Sequence, residues 1–329
     1  MYLNLHSHLE GRVRPATAAE LAAAQVLVAA DAPRSAEEWE RALRLDGPAD
    51  LTTYLEKVGA SYPFFDTHEH IFRIAKEAVL DASADGQDYL ELRFGPATHA
   101  RAGFSIADVV AAAAAGVREG SRMCGMPAGL VIAVLRSPRH RETLLEVARA
   151  AVAQAGAGVV GFDLAGDEQR FPELEPYAEA FALARSAGLG LTCHAAEAAG
   201  ANYARQAVEL LGVSRIGHGA YVAQDPEVLA WIRDQGVVIE CCPTSNWYTG
   251  AIADVRDHPS RIFREQGVAM VLGDDNPMQT GSTLRDERLV LGRSLGFDRT
   301  DLQLLDETSV GAAFLEDSVR TALQVRLGA

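Results

Sequence analysis

Residues 159–219 read VVGFDLAGDEQRFPELEPYAEAFALARSAGLGLTCHAAEAAGANYARQAVELLGVSRIGHG. Three short apolar runs, 159–164, 190–194 and 215–218, are separated here by Ala-, Leu- and Glu-rich stretches at 173–186 and 201–211 with helical spacing of apolar side chains. Strand, helix, strand, helix, strand in this order predicts parallel strands joined by crossover helices. Working outward, the same alternation continues. Apolar runs recur at 3–8, 89–94 and 129–135 before this stretch, and at 237–242 and 269–273 after it. Further amphipathic segments lie at 105–118, 141–154, 226–235 and 259–266. Eight strand–helix units predict an α/β fold closed as a (β/α)8 TIM barrel rather than an open sheet.

The connection after the first run is about 80 residues long and reads as a helical insertion. Thr17 and Glu20 have capping-box spacing, which predicts a helix starting after Thr17. Further helices are expected at 35–45, 50–60 and 66–84, and two terminal helices over 301–328. Residues 12–85 are read as a lid over one barrel spanning 1–329, not as a second domain, because long insertions at the C-terminal face of barrels cover active sites.

The 329 residues carry 45 acidic and 30 basic side chains, a net charge of −15, which disfavours binding to nucleic acid or an anionic membrane. No uncharged apolar stretch approaches the roughly 18 residues that a membrane helix needs. The N-terminus lacks a basic segment followed by an apolar one, so no signal peptide is expected. Cys124, Cys193, Cys241 and Cys242 match neither a disulfide framework nor a metal-binding C-x-x-C pattern, and read as reduced core thiols of a cytoplasmic protein. The oligomeric state is not legible.

Barrel enzymes place their chemistry where strands end. Those ends read His6-Ser7-His8, His194-Ala195-Ala196-Glu197, His218-Gly219 and Asp274-Asp275-Asn276. Side chains two apart in a strand share a face, so His6 and His8 can bind one metal from inside the barrel. A third histidine and an aspartate from other strands complete a nitrogen–oxygen set suited to Zn²⁺ with one position open. His68-Glu69-His70 repeats the H-x-H pattern, but in a helical stretch where i and i+2 diverge. Both lysines, Lys57 and Lys76, precede strand two, so no bridging lysine is available at strand four and one metal per chain is expected. Asp274 reads as a supporting or solvated acid.

The ordered set His6-Ser7-His8-Leu9-Glu10-Gly11, Tyr89-Leu90-Glu91-Leu92-Arg93-Phe94, Asp163-Leu164-Ala165-Gly166-Asp167-Glu168, His194-Ala195-Ala196-Glu197, Arg215-Ile216-Gly217-His218-Gly219, Cys242-Pro243-Thr244-Ser245-Asn246 and Asp275-Asn276 resembles the adenosine/adenine deaminase family along essentially the whole chain. The resemblance implies that His6, His8, His194 and Asp275 bind zinc. It implies that Glu197 protonates purine N1 and that His218 orients the attacking hydroxide. Gly166 matches the backbone donor to purine N3, Asn276 occupies the position facing N7, and Glu10 the position that meets the ribose. The implied reaction is hydrolytic deamination of a small purine, adenosine to inosine and ammonia. The alternatives are adenine or a 5′-modified adenosine. Three departures bear on the substrate: Asn276 stands where a second acid is more common, Ala196 where glycine is usual, and Glu10 where adenosine-specific members have Asp.

Overall fold

The computed structural model describes residues 1–24 and 33–328. Eight parallel strands follow one another around a single sheet in sequence order: β1 (Leu3–His8), β2 (Tyr89–Phe94), β3 (Ala128–Leu135), β4 (Val159–Ala165), β5 (Gly190–Ala195), β6 (Arg215–His218), β7 (Val238–Cys241) and β8 (Met270–Leu272). The ring closes where β1 meets the segment after β8. Asp275 N donates to His6 O at 2.9 Å and His8 N to Asp275 O at 2.7 Å. This seam of the (β/α)8 barrel runs through three of the residues singled out from the sequence.

The insertion after β1 carries α1 (Pro15–Ala24), α2 (Ala36–Leu43), α3 (Leu51–Gly59) and α4 (His68–Ala84). The first of these begins three residues earlier than expected, at Pro15 rather than after Thr17. Pro15 supplies a first-turn φ suited to a helix, and Thr17 does not cap: its hydroxyl is buried and donates to Glu77 at 2.6 Å. The outer helices are α5 (Ile106–Cys124), α6 (Leu144–Ala153), α7 (Ala178–Ser186), α8 (Asn202–Leu211), α9 (Pro226–Asp234), α10 (Pro243–Tyr248), α11 (Ser260–Gln266), α12 (Pro277–Thr280), α13 (Leu284–Ser294), α14 (Arg299–Ala312) and α15 (Asp317–Leu327). The helix expected over 105–118 continues to Cys124, where Gly125 at φ +75° ends it. The one expected over 141–154 starts at Leu144, after a 3₁₀ segment over Pro138–Thr143.

The barrel interior holds charge as well as hydrocarbon. Glu91, Arg93, Asp163, Arg215 and Glu240 are essentially inaccessible to water. Arg215 Nε meets Glu240 at 2.7 Å and its Nη2 meets Glu91 at 2.5 Å, while Arg93 reaches Asp163 at 3.2 Å and Glu240 at 2.9 Å. Such groups remain ionised only because each is paired. Phe314 plugs the floor beneath them. Its ring lies 3.7 Å from the Arg215 guanidinium, its N–H donates to Glu91 at 2.6 Å, and Ala312 O accepts from Arg215 at 3.0 Å. A Cβ at Gly161 or Gly190 would fall within 2.6 Å or 2.1 Å of that ring, so glycine is required at both for the plug to seat.

Candidate active site

His6, His8, His194 and Asp275 converge at the C-terminal end of the barrel. His8 Nε2 lies 3.1 Å from His194 Nε2 and 3.3 Å from Asp275 Oδ1, and His6 Nε2 lies 3.5 Å from the same oxygen. Two ligand atoms held tetrahedrally at Zn–N distances of about 2.0–2.1 Å are roughly 3.3 Å apart, so these edges frame one divalent ion. His6 Nε2 is buried with no hydrogen-bond partner, an orphaned atom that a cation would satisfy.

The other ring nitrogens are spoken for. Glu240 sits 2.7 Å from His6 Nδ1 and Asp163 sits 3.0 Å from His194 Nδ1, so each imidazole turns Nε2 toward the shared point. Burial disfavours both carboxylates, yet Arg93 and Arg215 hold Glu240 well below its ordinary range, and His194 and Arg93 do the same for Asp163. Asp275 uses Oδ2 elsewhere, accepting from Tyr54 OH at 2.8 Å and Ser245 Oγ at 2.5 Å. Tyr54 belongs to α3, so the insertion touches the metal cluster itself.

His218 is within reach of the same cluster: its ligand nitrogen lies within 4.8 Å of those of His6 and His194. Its tautomer follows from a chain of hydrogen bonds. The Ser260 N–H donates to His258 Nδ1 at 3.2 Å, so His258 carries its proton on Nε2 and donates it to Asn246 Oδ1 at 3.2 Å. Asn246 Nδ2 then donates to His218 Nδ1 at 3.1 Å. Burial keeps His258 neutral, with its pKa pushed down to about 3, and likewise pushes His218 well below the usual histidine range. The proton of neutral His218 therefore sits on Nε2. That makes it a hydrogen-bond donor rather than a metal ligand.

Glu197 follows β5 in a loop pinned by a second acid. Glu168 accepts from the backbone N–H groups of Ala196, Ala198 and Ala199 at 3.0, 2.6 and 2.7 Å. Burial above all, then the charges of Asp275 and Glu168, raises the Glu197 pKa well above the carboxylate range, so its protonated form is favoured. Ala196, His218 and Asp275 are the non-glycine residues with positive φ among the described ones, at 54°, 64° and 54°. Each lies at or just beyond a strand end beside the cluster, where backbone strain is offset by the fixed geometry around it. Asp274 is buried and paired with Arg12. His70 pairs with Asp66, in α4 and its approach, and takes no part in the cluster.

A cavity of about 650 Å³ opens over these groups, lined by His8, Glu10, Gly166, Glu197, His218 and Asn276 and walled on one side by α3. Glu10 Oε1 accepts from Gly95 N at 3.2 Å and faces His99 Nε2 at 3.4 Å, while its Oε2 is buried without a partner. Gly166 adopts φ +109°, which strains any L side chain, and a Cβ there would stand only 3.3 Å from Arg136 N. Asn276 Nδ2 donates to Asp275 Oδ1 at 2.9 Å, and its Oδ1 is unpartnered.

The model of the adenosine deaminase family matches residues 2–328. The chain belongs to that family. As a family member it is a hydrolytic deaminase with a metal-binding barrel. It is 32% identical to the adenosine deaminase of Mycobacterium ulcerans (strain Agy99), over 94% of this chain and 89% of that one. It is 33% identical to that of Shewanella loihica, over 98% and 96%. Among solved structures, the adenine deaminase of Arthrobacter aurescens superposes with a TM-score of 0.89 at 24% identity, covering 99% of this deaminase and 98% of that chain. The N6-methyl-AMP deaminase of Arabidopsis thaliana does so with 0.85 at 24%, covering 99% and 96%. These two likenesses are of fold.

Tyr54, Glu240 and His258 lie outside the motifs read from the sequence, and Glu168 and Asn246 stand inside them without an assigned role. For Glu240, and for Glu91 and Arg93, a signal existed. A charged residue inside an apolar strand must be paired or held near a cation.

Proposed function

We propose that this deaminase is a zinc-dependent aminohydrolase that releases ammonia from an aminopurine nucleoside, adenosine to inosine being the reference reaction. The observation that carries the reading is Glu197, a buried acid biased toward its protonated form, in the same cavity as the His6–His8–His194–Asp275 cluster. A metal held by those four residues supplies Lewis-acid activation of water at neutral pH.

The chain's own groups do the rest. Protonated Glu197 donates to purine N1, which withdraws electrons from C6 and opens it to attack. His218, fixed as the Nε2–H tautomer by His258 and Asn246, donates to the attacking oxygen and orients it. Gly166 presents backbone to the purine edge, and Asn276 faces N7. Glu10 offers the lone acceptor Oε2 to a ribose hydroxyl. We further propose that residues 12–85 act as the lid, since α3 walls the cavity and reaches Asp275 through Tyr54. The described residues contain no helix long and apolar enough to cross a membrane. With unpaired cysteines and the acidic charge, this supports a cytoplasmic enzyme acting on small molecules rather than nucleic acid.

A second reading keeps the chemistry and changes the N9 substituent: free adenine, or an adenosine modified at the 5′ position. The cavity favours the modified nucleoside, because it extends past Glu10 to the loops after β3 and β4. Elemental analysis together with ammonia release from adenine, adenosine, 2′-deoxyadenosine, AMP and 5′-substituted adenosines tests the proposal. One zinc per chain and a nucleoside preferred over adenine are expected. Two tightly bound metals, or adenine leading by tenfold, would overturn it.

A further inference from the structure

The outer part of the catalytic cavity carries two arginines that form no ion pair among the described residues. Arg139, on the loop after β3, and Arg170, on the loop after β4, both line it, and among the described residues neither guanidinium forms an ion pair. Their neighbours are committed. Arg136 donates to Tyr203 OH at 2.5 Å and His194 O at 2.7 Å, and Arg141 pairs with Glu173 at 3.1 Å. Of the two acids before Arg170 in sequence, Glu168 is buried and committed to the Ala196, Ala198 and Ala199 N–H groups, and Asp167 accepts from the Thr52 hydroxyl at 3.0 Å and from the backbone N–H groups of Gln169 and Arg170 at 3.1 and 3.0 Å. Glu56 is the remaining acid on this rim and is exposed. His140 is held neutral by burial. Arg170 is stacked on the Phe171 ring, 5.4 Å from its centroid, which limits its travel. In a chain with a net charge of −15, two unpaired arginines at the mouth of the one site that binds substrate are not a by-product of a basic surface.

The wall formed by α3 adds apolar side chains beside Thr52 and Glu56. Leu51, Leu55 and Val58 of α3 line the same cavity. The amino group of the purine must reach Glu197 and the metal cluster at the inner end. Glu10, proposed above to meet the ribose, lines the cavity with a buried, unpartnered carboxylate oxygen, which repels an anion attached directly at the 5′ carbon. An anion can therefore be welcomed only farther out, beyond a spacer.

Resting on the deaminase reading above, we propose that the substrate is an aminopurine nucleoside whose sugar carries, through an apolar spacer, an anionic group held by Arg139 and Arg170. Carboxylate and phosphate share this chemistry, since both accept paired hydrogen bonds from a guanidinium. The spacer lies against the leucines of α3.

The test uses the zinc-loaded full chain and four probes: adenosine, AMP, 5′-deoxy-5′-(3-carboxypropylthio)adenosine, and the methyl ester of that acid. The ester has the same length and no charge. The expected acid-to-ester ratio of kcat/KM is about 10–100 in the wild type, the range for hydrogen bonds to a charged group. In Arg139→Ala/Arg170→Ala the ratio falls to about one, through KM rather than kcat. A ratio near one in the wild type, or one unchanged by the double substitution, overturns the proposal. AMP turning over faster than the thioether acid overturns the spaced arrangement and assigns the arginines to a 5′-phosphate. If adenosine is deaminated and the acid is no better than its ester, this inference alone fails. If none of the four is deaminated, the parent reading fails and takes the inference with it.

Discussion

Glu240→Gln removes one charge and almost no volume from beneath the metal cluster. The carboxylate now serves four donors: His6 Nδ1 at 2.7 Å and Arg93 at 2.9 Å on Oε2, Arg215 Nε at 2.7 Å and the Thr192 hydroxyl at 2.8 Å on Oε1. A glutamine can satisfy only one of these pairs, because its NH₂ faces donors on the other side. Two consequences separate. Breaking a fully buried ion pair destabilises the fold by roughly 3–5 kcal/mol, tempered here because Arg93 keeps Asp163 and Arg215 keeps Glu91. Losing the carboxylate behind a ligating imidazole lowers metal affinity about 10–100-fold, or roughly 1.4–2.8 kcal/mol. Competition against a chromophoric chelator, run well below the variant's unfolding temperature, reads the second effect without the first. Thr192→Val is the control: it removes a donor to the same carboxylate without touching His6, and should leave metal affinity within about twofold. An unchanged zinc Kd in folded Glu240→Gln, or an equal loss in Thr192→Val, would refute the claim that Glu240 orients His6.

Three further outcomes are expected. Glu197→Gln should keep its zinc and lose about 10²–10⁴-fold in kcat, since the amide can hydrogen-bond N1 but not protonate it; near-normal turnover would remove Glu197 from the proton path. Ala196→Gly should raise stability by up to about 1 kcal/mol, because relief of a left-handed backbone worth roughly 1–2 kcal/mol exceeds the entropy lost with glycine; a fall in Tm would contradict the strain assigned to this turn. Glu287 accepts from Ser282 Oγ and Thr244 N, and burial lifts its pKa from 4.5 to about 7. A carboxyl with a raised folded pKa stabilises the fold while neutral, so stability should decline by roughly 3 kcal/mol from pH 4.5 to 7 and then level off. Glu287→Gln should flatten that decline in pH-dependent urea denaturation, and an unaltered slope would exclude this group as its source.

The barrel was legible because eight apolar runs recur with helical segments between them, and strand order simply follows sequence order. The clustering of His6, His8 and His194 was legible because they end those runs. The start of the first helix was misplaced because Thr17 and Glu20 have capping spacing, yet the Thr17 hydroxyl finds Glu77 across the fold. What Tyr54, Asn246 and His258 do was not legible, for the same physical reason. Their roles come from partners 221, 28 and 12 residues away, and no local pattern records such a meeting. Ala196 is the opposite case. The motif already placed a glycine preference there, and φ of 54° explains it.

The floor plug has a consequence for the order of assembly. Every strand precedes Phe314 in the chain, so a nascent barrel can close its hydrogen-bonded ring while its underside is still open to water. Until the Ala312–Phe314 stretch arrives, Glu91 lacks the Phe314 N–H, and Arg215 lacks both its ring and the Ala312 carbonyl. The Arg215–Glu240 pair that backs His6 is then hydrated from below. Metal capture before that stretch docks would meet a loosely held His6 imidazole, whereas capture afterwards meets a rigid one. Seating of the plug thus precedes tight metal binding, and a chain truncated before residue 312 should take up zinc weakly even though His6, His8, His194 and Asp275 are all present in it.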